Sequence, residues 1–188
     1  MTNKFTQTDD NSQKAAARND GGFFSGARAS SCRSLYVHVP FCERKCNYCA
    51  FESAPPRAGD FELYLASLKK ELALRRAELG RLTLGTCYIG GGTPTALPPL
   101  AWDELIETLE EFFDFAPEAE VTVEANPNSL RAEHLLAWRE WRVTRVSVGV
   151  QSFDGAELEM MGRLHGAAQA HEALSAALAA GFAVSADF

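Results

Sequence analysis

The chain predicts an α/β protein built on a parallel sheet, and two features carry that expectation. Apolar runs of strand length alternate with helix-period segments long enough to cross back over a sheet. The residues equipped for chemistry fall, group after group, at the carboxyl ends of those runs. That is the rim on which parallel α/β sheets keep their active groups.

Residues 1–33 are polar, lack periodic apolar positions and read as a disordered tail, with residues 34–188 forming the domain. Leu35 to Val39 is the first strand. Phe61 to Leu79 places Leu65, Leu68, Leu72 and Leu79 at helical spacing, and Gly80 is its stop. Thr86 to Ile89 is a short buried strand, Pro99 to Phe113 an amphipathic helix, and Glu120 to Glu124 the third strand. Ser129 is expected to cap a third helix that carries Glu133 in its first turn and runs to Trp141. Val143 to Val150 is the fourth strand. Helical segments at Gly155 to Met161 and Ala167 to Ala180 lead through Gly181 to a fifth strand, Phe182 to Phe188. These five βα units fit an open doubly wound sheet or a piece of a barrel.

The composition, with 46% hydrophobic and 23% charged residues in 188, is that of a globular protein with one sizeable core. A formal net charge of −7 argues against a nucleic-acid surface. No apolar run approaches the roughly 20 residues of a transmembrane helix. Five cysteines, an odd number, and the lack of an apolar leader at the start argue against a secreted disulfide framework and for a reducing cytoplasmic setting.

Cys42, Cys46 and Cys49 form a Cys-x-x-x-Cys-x-x-Cys run. Three thiolates without a fourth leave one position of a cubane iron–sulfur cluster open to a small molecule. The spacing alone also admits zinc, the lesser reading, with His38 completing a Cys3His set. Arg44, Lys45 and Arg57 bring positive charge to the run, suited either to thiolates or to ordinary solvation. Cys87 lies in an apolar run and reads as a buried strand residue, and Cys32 as a free thiol in the tail.

The other rim groups have their own chemistry. Gly90, Gly91 and Gly92, followed by Thr93 and Pro94, form a turn in which missing side chains let a ligand reach the backbone. It is no phosphate loop, since neither Lys-Ser nor Lys-Thr follows. Glu124 suits an ammonium or paired ribose hydroxyls, Gln151 suits sugar hydroxyls, and Arg163 suits a carboxylate through a two-pronged contact. Together they fit an amino acid joined to a nucleoside. Tyr36 and His38 share one face of the first strand, and His165 reads as a surface or capping residue.

The segments Tyr36 to Cys42 with Cys46 and Cys49, Gly90 to Pro94, Glu124 to Pro127, Ser147 to Phe153, Gly162 to His165 and Ser185 to Asp187 resemble, in order, the motifs of the radical S-adenosylmethionine (SAM) superfamily. Within it they are similar to the branch of oxygen-independent coproporphyrinogen III oxidases and HemW haem chaperones. The resemblance implies a partial (β/α) radical SAM barrel, with a 4Fe-4S cluster on Cys42, Cys46 and Cys49 and S-adenosyl-L-methionine chelating the open iron. Electron transfer into the sulfonium would release a deoxyadenosyl radical. On the same resemblance Tyr36 and Tyr48 flank cluster and cofactor. Gly91, Gly92 and Thr93 line the methionine side, and Glu124, Gln151, Arg163 and Asp187 hold the remaining polar groups.

One departure separates the branches. The oxidases carry another cysteine two positions after the third ligand, where this chain has Phe51 after Ala50. Phe51 points to the HemW-like side, which implies haem binding and delivery to an acceptor protein, with an electron donor for the cluster. The alternative is an oxidase acting on a porphyrinogen. Phe182 to Phe188 stops without a covering helix, and a complete eight-unit barrel takes about 250 residues. The chain is therefore expected to be the N-terminal part of a radical SAM core, truncated at its C-terminus.

Overall fold

A computed structural model describes residues 33–188. The expected tail and Cys32 lie outside the described residues, apart from Arg33, which opens the first strand. The strands are β1 (Arg33–Val39), β2 (Leu82–Gly91), β3 (Phe113–Ala125), β4 (Arg145–Gly149) and β5 (Ala183–Asp187). The helices are α1 (Asp60–Leu79), α2 (Pro99–Phe112), α3 (Ala132–Glu140), α4 (Gly155–Met160) and α5 (Ala167–Ala179), with a 3-10 turn at Pro94–Ala96.

All five strands pair parallel in the order β1-β2-β3-β4-β5. That sequential order decides between the two expected architectures. A doubly wound sheet reverses direction at a switch point, whereas barrel-type winding always steps the same way. With right-handed crossovers, constant stepping puts every connecting helix on one face of the sheet. The fold is a run of barrel-type βα units.

Register assigns each strand residue to a face. Val37 pairs with Ile89, Ile89 with Val123, Val123 with Val146 and Val146 with Val184. This apolar row meets Leu65 and Leu72 of α1, Trp102, Leu105 and Leu109 of α2, Trp138 of α3, and Ala170, Ala173 and Ala177 of α5 in one core. Trp102 and Trp138 cross edge to face at its centre, with ring centroids 5.4 Å apart. The alternate residues, Tyr36, His38, Tyr88, Thr122, Glu124, Ser147, Ser185 and Asp187, occupy the opposite face.

Several boundaries differ from expectation. β2 begins at Leu82 and β3 at Phe113, because Arg81 clamps the start of both strands. Its guanidinium donates to the carbonyls of Glu110, Glu111 and Phe113 and pairs with Asp114 at 2.8 Å. Pairing then slips between Leu84/Phe115 and Thr86/Glu120, a bulge that accommodates Pro117. Ser129 does not cap α3, whose N-cap is Arg131. The Ser129 hydroxyl instead meets that of Thr95 at 2.6 Å, within a turn in which the Asn126 carbonyl accepts from the backbone of Ser129 and Leu130. The fourth strand is shorter than Val143 to Val150, since the Val143 amide is spent on the Trp138 carbonyl at the end of α3.

Candidate functional site

The cysteine loop leaves β1 and is stitched down at both ends. The Cys42 amide donates to the Ala54 carbonyl and the Ala54 amide to the Pro40 carbonyl, each at 3.1 Å, while Phe41 and Ala54 form an isolated parallel bridge. Mid-loop, the Asn47 amide donates to the Met161 carbonyl at 3.1 Å and its side chain to the Met160 carbonyl at 2.8 Å, docking the loop on the end of α4. Gly92 lies directly beneath. Its amide donates to the Val39 carbonyl, and a Cβ there would stand 2.6 Å from the Phe41 carbonyl oxygen, so only glycine lets the loop close over this turn.

Every predicted site residue except Tyr36 lines one cavity of about 240 Å³ at the carboxyl rim, the three cysteines together with Gly91, Glu124, Gln151, Arg163 and Asp187 among them. Tyr36 stands beside it on the sheet face, its ring stacked 6.0 Å from that of Tyr88. Cys42 is buried, and Cys46 and Cys49 are half-buried free thiols. Among the described residues no set of three or more His, Cys, Asp or Glu side chains closes into a metal site. The grouping of the thiols therefore rests on their shared cavity. His38, the fourth ligand a zinc site would need, is not among the residues lining it. One ring nitrogen of His38 meets the Tyr36 hydroxyl at 3.2 Å and the other the Glu52 carbonyl at 2.8 Å.

Glu124 is held by two donors, the Tyr88 hydroxyl at 2.7 Å on one oxygen and the Gly91 amide at 2.9 Å on the other. Gly90 makes room for it, because a Cβ there would fall 2.7 Å from the carboxylate. Burial, and then the Glu124 carboxylate, raise the Tyr88 pKa, so the phenol stays protonated and donating. Gln151 is the only described non-glycine residue with positive φ, at 69°, and its amide donates to the Asp187 carbonyl at 2.7 Å. A left-handed glutamine costs about 1–2 kcal/mol. Strain of this kind persists where neighbours over-determine it, as at ligand sites.

Arg163 comes from the short segment after α4. One of its terminal nitrogens donates to the Gly149 carbonyl and to Asn126 Oδ1 at 2.8 Å, and the other approaches Cys46 Sγ at 3.5 Å. Its Nε is buried with no partner among the described residues, as is the Ser53 hydroxyl on the same cavity. Two polar groups thus lie unsatisfied beside the thiols. Of the other cations, Arg44 and Lys45 line the cavity, whereas Arg57 pairs with Asp60 at the start of α1.

His165 corrects the surface reading. It is 4% exposed, and its Nε2 meets the Val150 carbonyl at 2.9 Å, bracing the end of β4 next to Gln151. Burial lowers its pKa. Cys87 is buried as expected, which pushes its thiol up to about 12. Asn126 and Ser147, which stand inside the segments Glu124 to Pro127 and Ser147 to Phe153 without a role read from the sequence, also line the cavity. Strand alternation marks Ser147 as facing the same side as Glu124, and Asn126 stands two residues beyond Glu124 on that face.

Comparison with known proteins adds the family. Residues 36–188 match the radical SAM superfamily. The chain belongs to the radical SAM superfamily. It is 38% identical to the "Heme chaperone HemW" of Mycobacterium tuberculosis (strain CDC 1551 / Oshkosh) over 79% of this chain and 39% of that protein. It is 35% identical to the Bos taurus "Radical S-adenosyl methionine domain-containing protein 1, mitochondrial" over 88% of this chain and 37% of that protein. Among solved structures it resembles the Escherichia coli coproporphyrinogen III oxidase HemN, a radical SAM enzyme, with a TM-score of 0.77 and 30% identity over 84% of this chain and 37% of that one. The chain thus spans well under half the length of these relatives. Among the described residues no helix is long and apolar enough to cross a membrane.

Proposed function

We propose that this chain binds a 4Fe-4S cluster through Cys42, Cys46 and Cys49, takes S-adenosyl-L-methionine on the open iron, and serves haem handling in the manner of the HemW-like branch. One observation carries the cofactor reading. A single cavity collects three thiols, the glycine turn and the polar side chains suited to an amino acid and a ribose. The donor set fits: three soft thiolates suit a cluster, and the unpartnered Arg163 Nε and Ser53 hydroxyl give hydrogen-bond donors to a negatively charged guest. A cluster held by Cys42, Cys46 and Cys49 would supply one-electron reduction of the S-adenosyl-L-methionine sulfonium.

The protein's own residues bind and orient. Glu124, preset by Tyr88 and Gly91, keeps lone pairs for an ammonium or for ribose hydroxyls. Arg163 offers Nε to a carboxylate, its Nη2 being spent on Gly149 and Asn126. Gln151, aimed by its strained backbone, and Asp187 complete the polar wall, and Tyr48 stands half exposed at the mouth. The haem-chaperone assignment rests on Phe51, which lines the cavity where the oxidases carry a cysteine. A haem-acceptor protein and an electron donor are its expected partners, in a cytoplasmic setting.

Anaerobic reconstitution with iron and sulfide tests the cofactor reading. A brown protein with about four irons that binds S-adenosyl-L-methionine supports it, and a colourless zinc protein overturns it. Haem titration followed by transfer to an apo-acceptor supports the chaperone assignment. Consumption of coproporphyrinogen III with cleavage of S-adenosyl-L-methionine, an activity of the kind named for HemN, would replace it with the oxidase.

A further inference from the structure

Asn126 follows the last residue of β3 and lines the cavity; it touches none of the thiols, yet it holds the groups that touch two of them. Its Oδ1 accepts from Arg163 at 2.8 Å, and its Nδ2 donates to Thr93 Oγ1 at 2.8 Å. Arg163 has only donors to offer, so the orientation of the amide is determined by the network itself. Thr93 Oγ1 lies 3.3 Å from Cys42 Sγ, and Arg163 Nη1 lies 3.5 Å from Cys46 Sγ. The Thr93 oxygen receives the Asn126 proton, which leaves its own hydroxyl proton for Cys42. A metal-bound thiolate can only accept. Asn126 therefore turns a hydroxyl toward one sulfur and a guanidinium toward another.

We infer that Asn126 is a positioning residue that fixes hydrogen-bond donors on the sulfurs of Cys42 and Cys46, and through them raises the reduction potential of the cluster. The inference rests on the 4Fe-4S reading proposed above. Hydrogen bonds to cluster sulfurs favour the more negative, reduced form, which makes them one of the levers on iron–sulfur potentials. Residues that orient ligands from behind can matter nearly as much as the ligands. The packing leaves Asn126 little freedom, since a Cβ on Gly149 would already stand 3.1 Å from its Oδ1.

The test uses the whole chain reconstituted anaerobically, with iron content and an EPR-monitored titration of the one-electron cluster couple against dithionite. Asn126→Ala is expected to load the cluster and to disfavour its reduction about tenfold, ~59 mV for a one-electron couple. Thr93→Val, which deletes the donor to Cys42 together with the acceptor of Asn126 Nδ2, is expected to shift the potential the same way. If Asn126 acts through Thr93, the double variant shifts it by less than the sum of the two. A full iron complement with an unchanged potential in Asn126→Ala overturns the inference, because a merely structural asparagine would leave the couple alone. Should Asn126→Ala take up no cluster, Thr93→Val decides, and an unshifted potential there also overturns it. A wild-type chain that binds no iron and sulfide is a different result and removes the cluster reading itself.

Discussion

The two faces of this one sheet are built from alternate residues of the same strands and solve opposite problems. On the helix side Ile89, Val123 and Val146 are fully buried among Leu105, Leu109 and the crossed pair Trp102 and Trp138. Their stability comes from area removed from water and from close packing. On the other side Tyr88, Glu124, Ser147, Ser185 and Asp187 are joined by hydrogen bonds, with Ser185 donating to Ser147 at 2.9 Å and Ser147 reaching toward Asp187 at 3.5 Å. The first face is saturated. The second keeps unspent lone pairs and donors beside the cysteines, and a binding face needs that reserve. Mutations should accordingly cost stability on one face and ligand affinity on the other.

The largest effect is expected at Trp138. Trp138→Ala removes a fully buried indole and should destabilise the chain by ~3–5 kcal/mol, read from urea unfolding. Trp138→Phe should cost much less, because the indole N–H has no partner among the described residues and no hydrogen bond is lost. An alanine variant with near wild-type stability would mean that the helix-side core is not what holds the sheet. Glu124→Gln is the counterpart on the polar face. It removes the charge and sets an amide N–H2 against the Tyr88 hydroxyl or the Gly91 amide. The expectation is a loss of ~1–3 kcal/mol in affinity for S-adenosyl-L-methionine, measured by calorimetry on the reconstituted protein. Unfolding should move less than for Trp138→Ala.

Gln151 tests whether the polar face stores strain. Gln151→Gly relaxes a left-handed backbone and should stabilise the chain by about 1 kcal/mol in urea, while weakening S-adenosyl-L-methionine binding by removing the amide. A glycine variant that is no more stable would show that φ of 69° is accommodated without cost.

The contrast between the faces also explains what could be read from the sequence. Period-two alternation exposes itself wherever valine or isoleucine alternates with a polar residue, so β4 and the carboxyl ends of β2 and β3 were legible, and with them the rim and its site. The amino-terminal halves of β2 and β3 were not, because there Thr83, Gly85, Asp114 and Pro117 break the pattern and the clamp from Arg81 does the holding. Ser129 misled for a chemical reason: a serine hydroxyl serves a helix cap and a turn equally well, and the partner that decided, Thr95, is 34 residues away. The bracing role of Asn126 depends on Thr93, Arg163 and Gly149 meeting at one point. No local pattern announces such a meeting.

The smallest expected effect is a pH dependence that couples the two faces. His134 lies on the helix side, stacked against Trp138 with centroids 5.8 Å apart, and its Nδ1 accepts the Arg131 amide at 3.1 Å. His165 sits under the rim against the Val150 carbonyl, with Arg163 nearby. Burial lowers both pKa values below the ordinary histidine value of about 6.5. As pH falls through that value, the unfolded chain takes up protons that the folded chain refuses, so stability must fall with it. Above it both states are neutral, and these two groups contribute no slope. Tm measured from pH 7.5 to 5.5 should therefore drop, and His134→Gln and His165→Gln should each flatten part of the drop. If the rim melts separately from the core, only His165→Gln will alter the early loss, seen as exposure of Cys42 to a thiol reagent before the tryptophan signal changes. If the faces unfold as one unit, both substitutions will move both signals together.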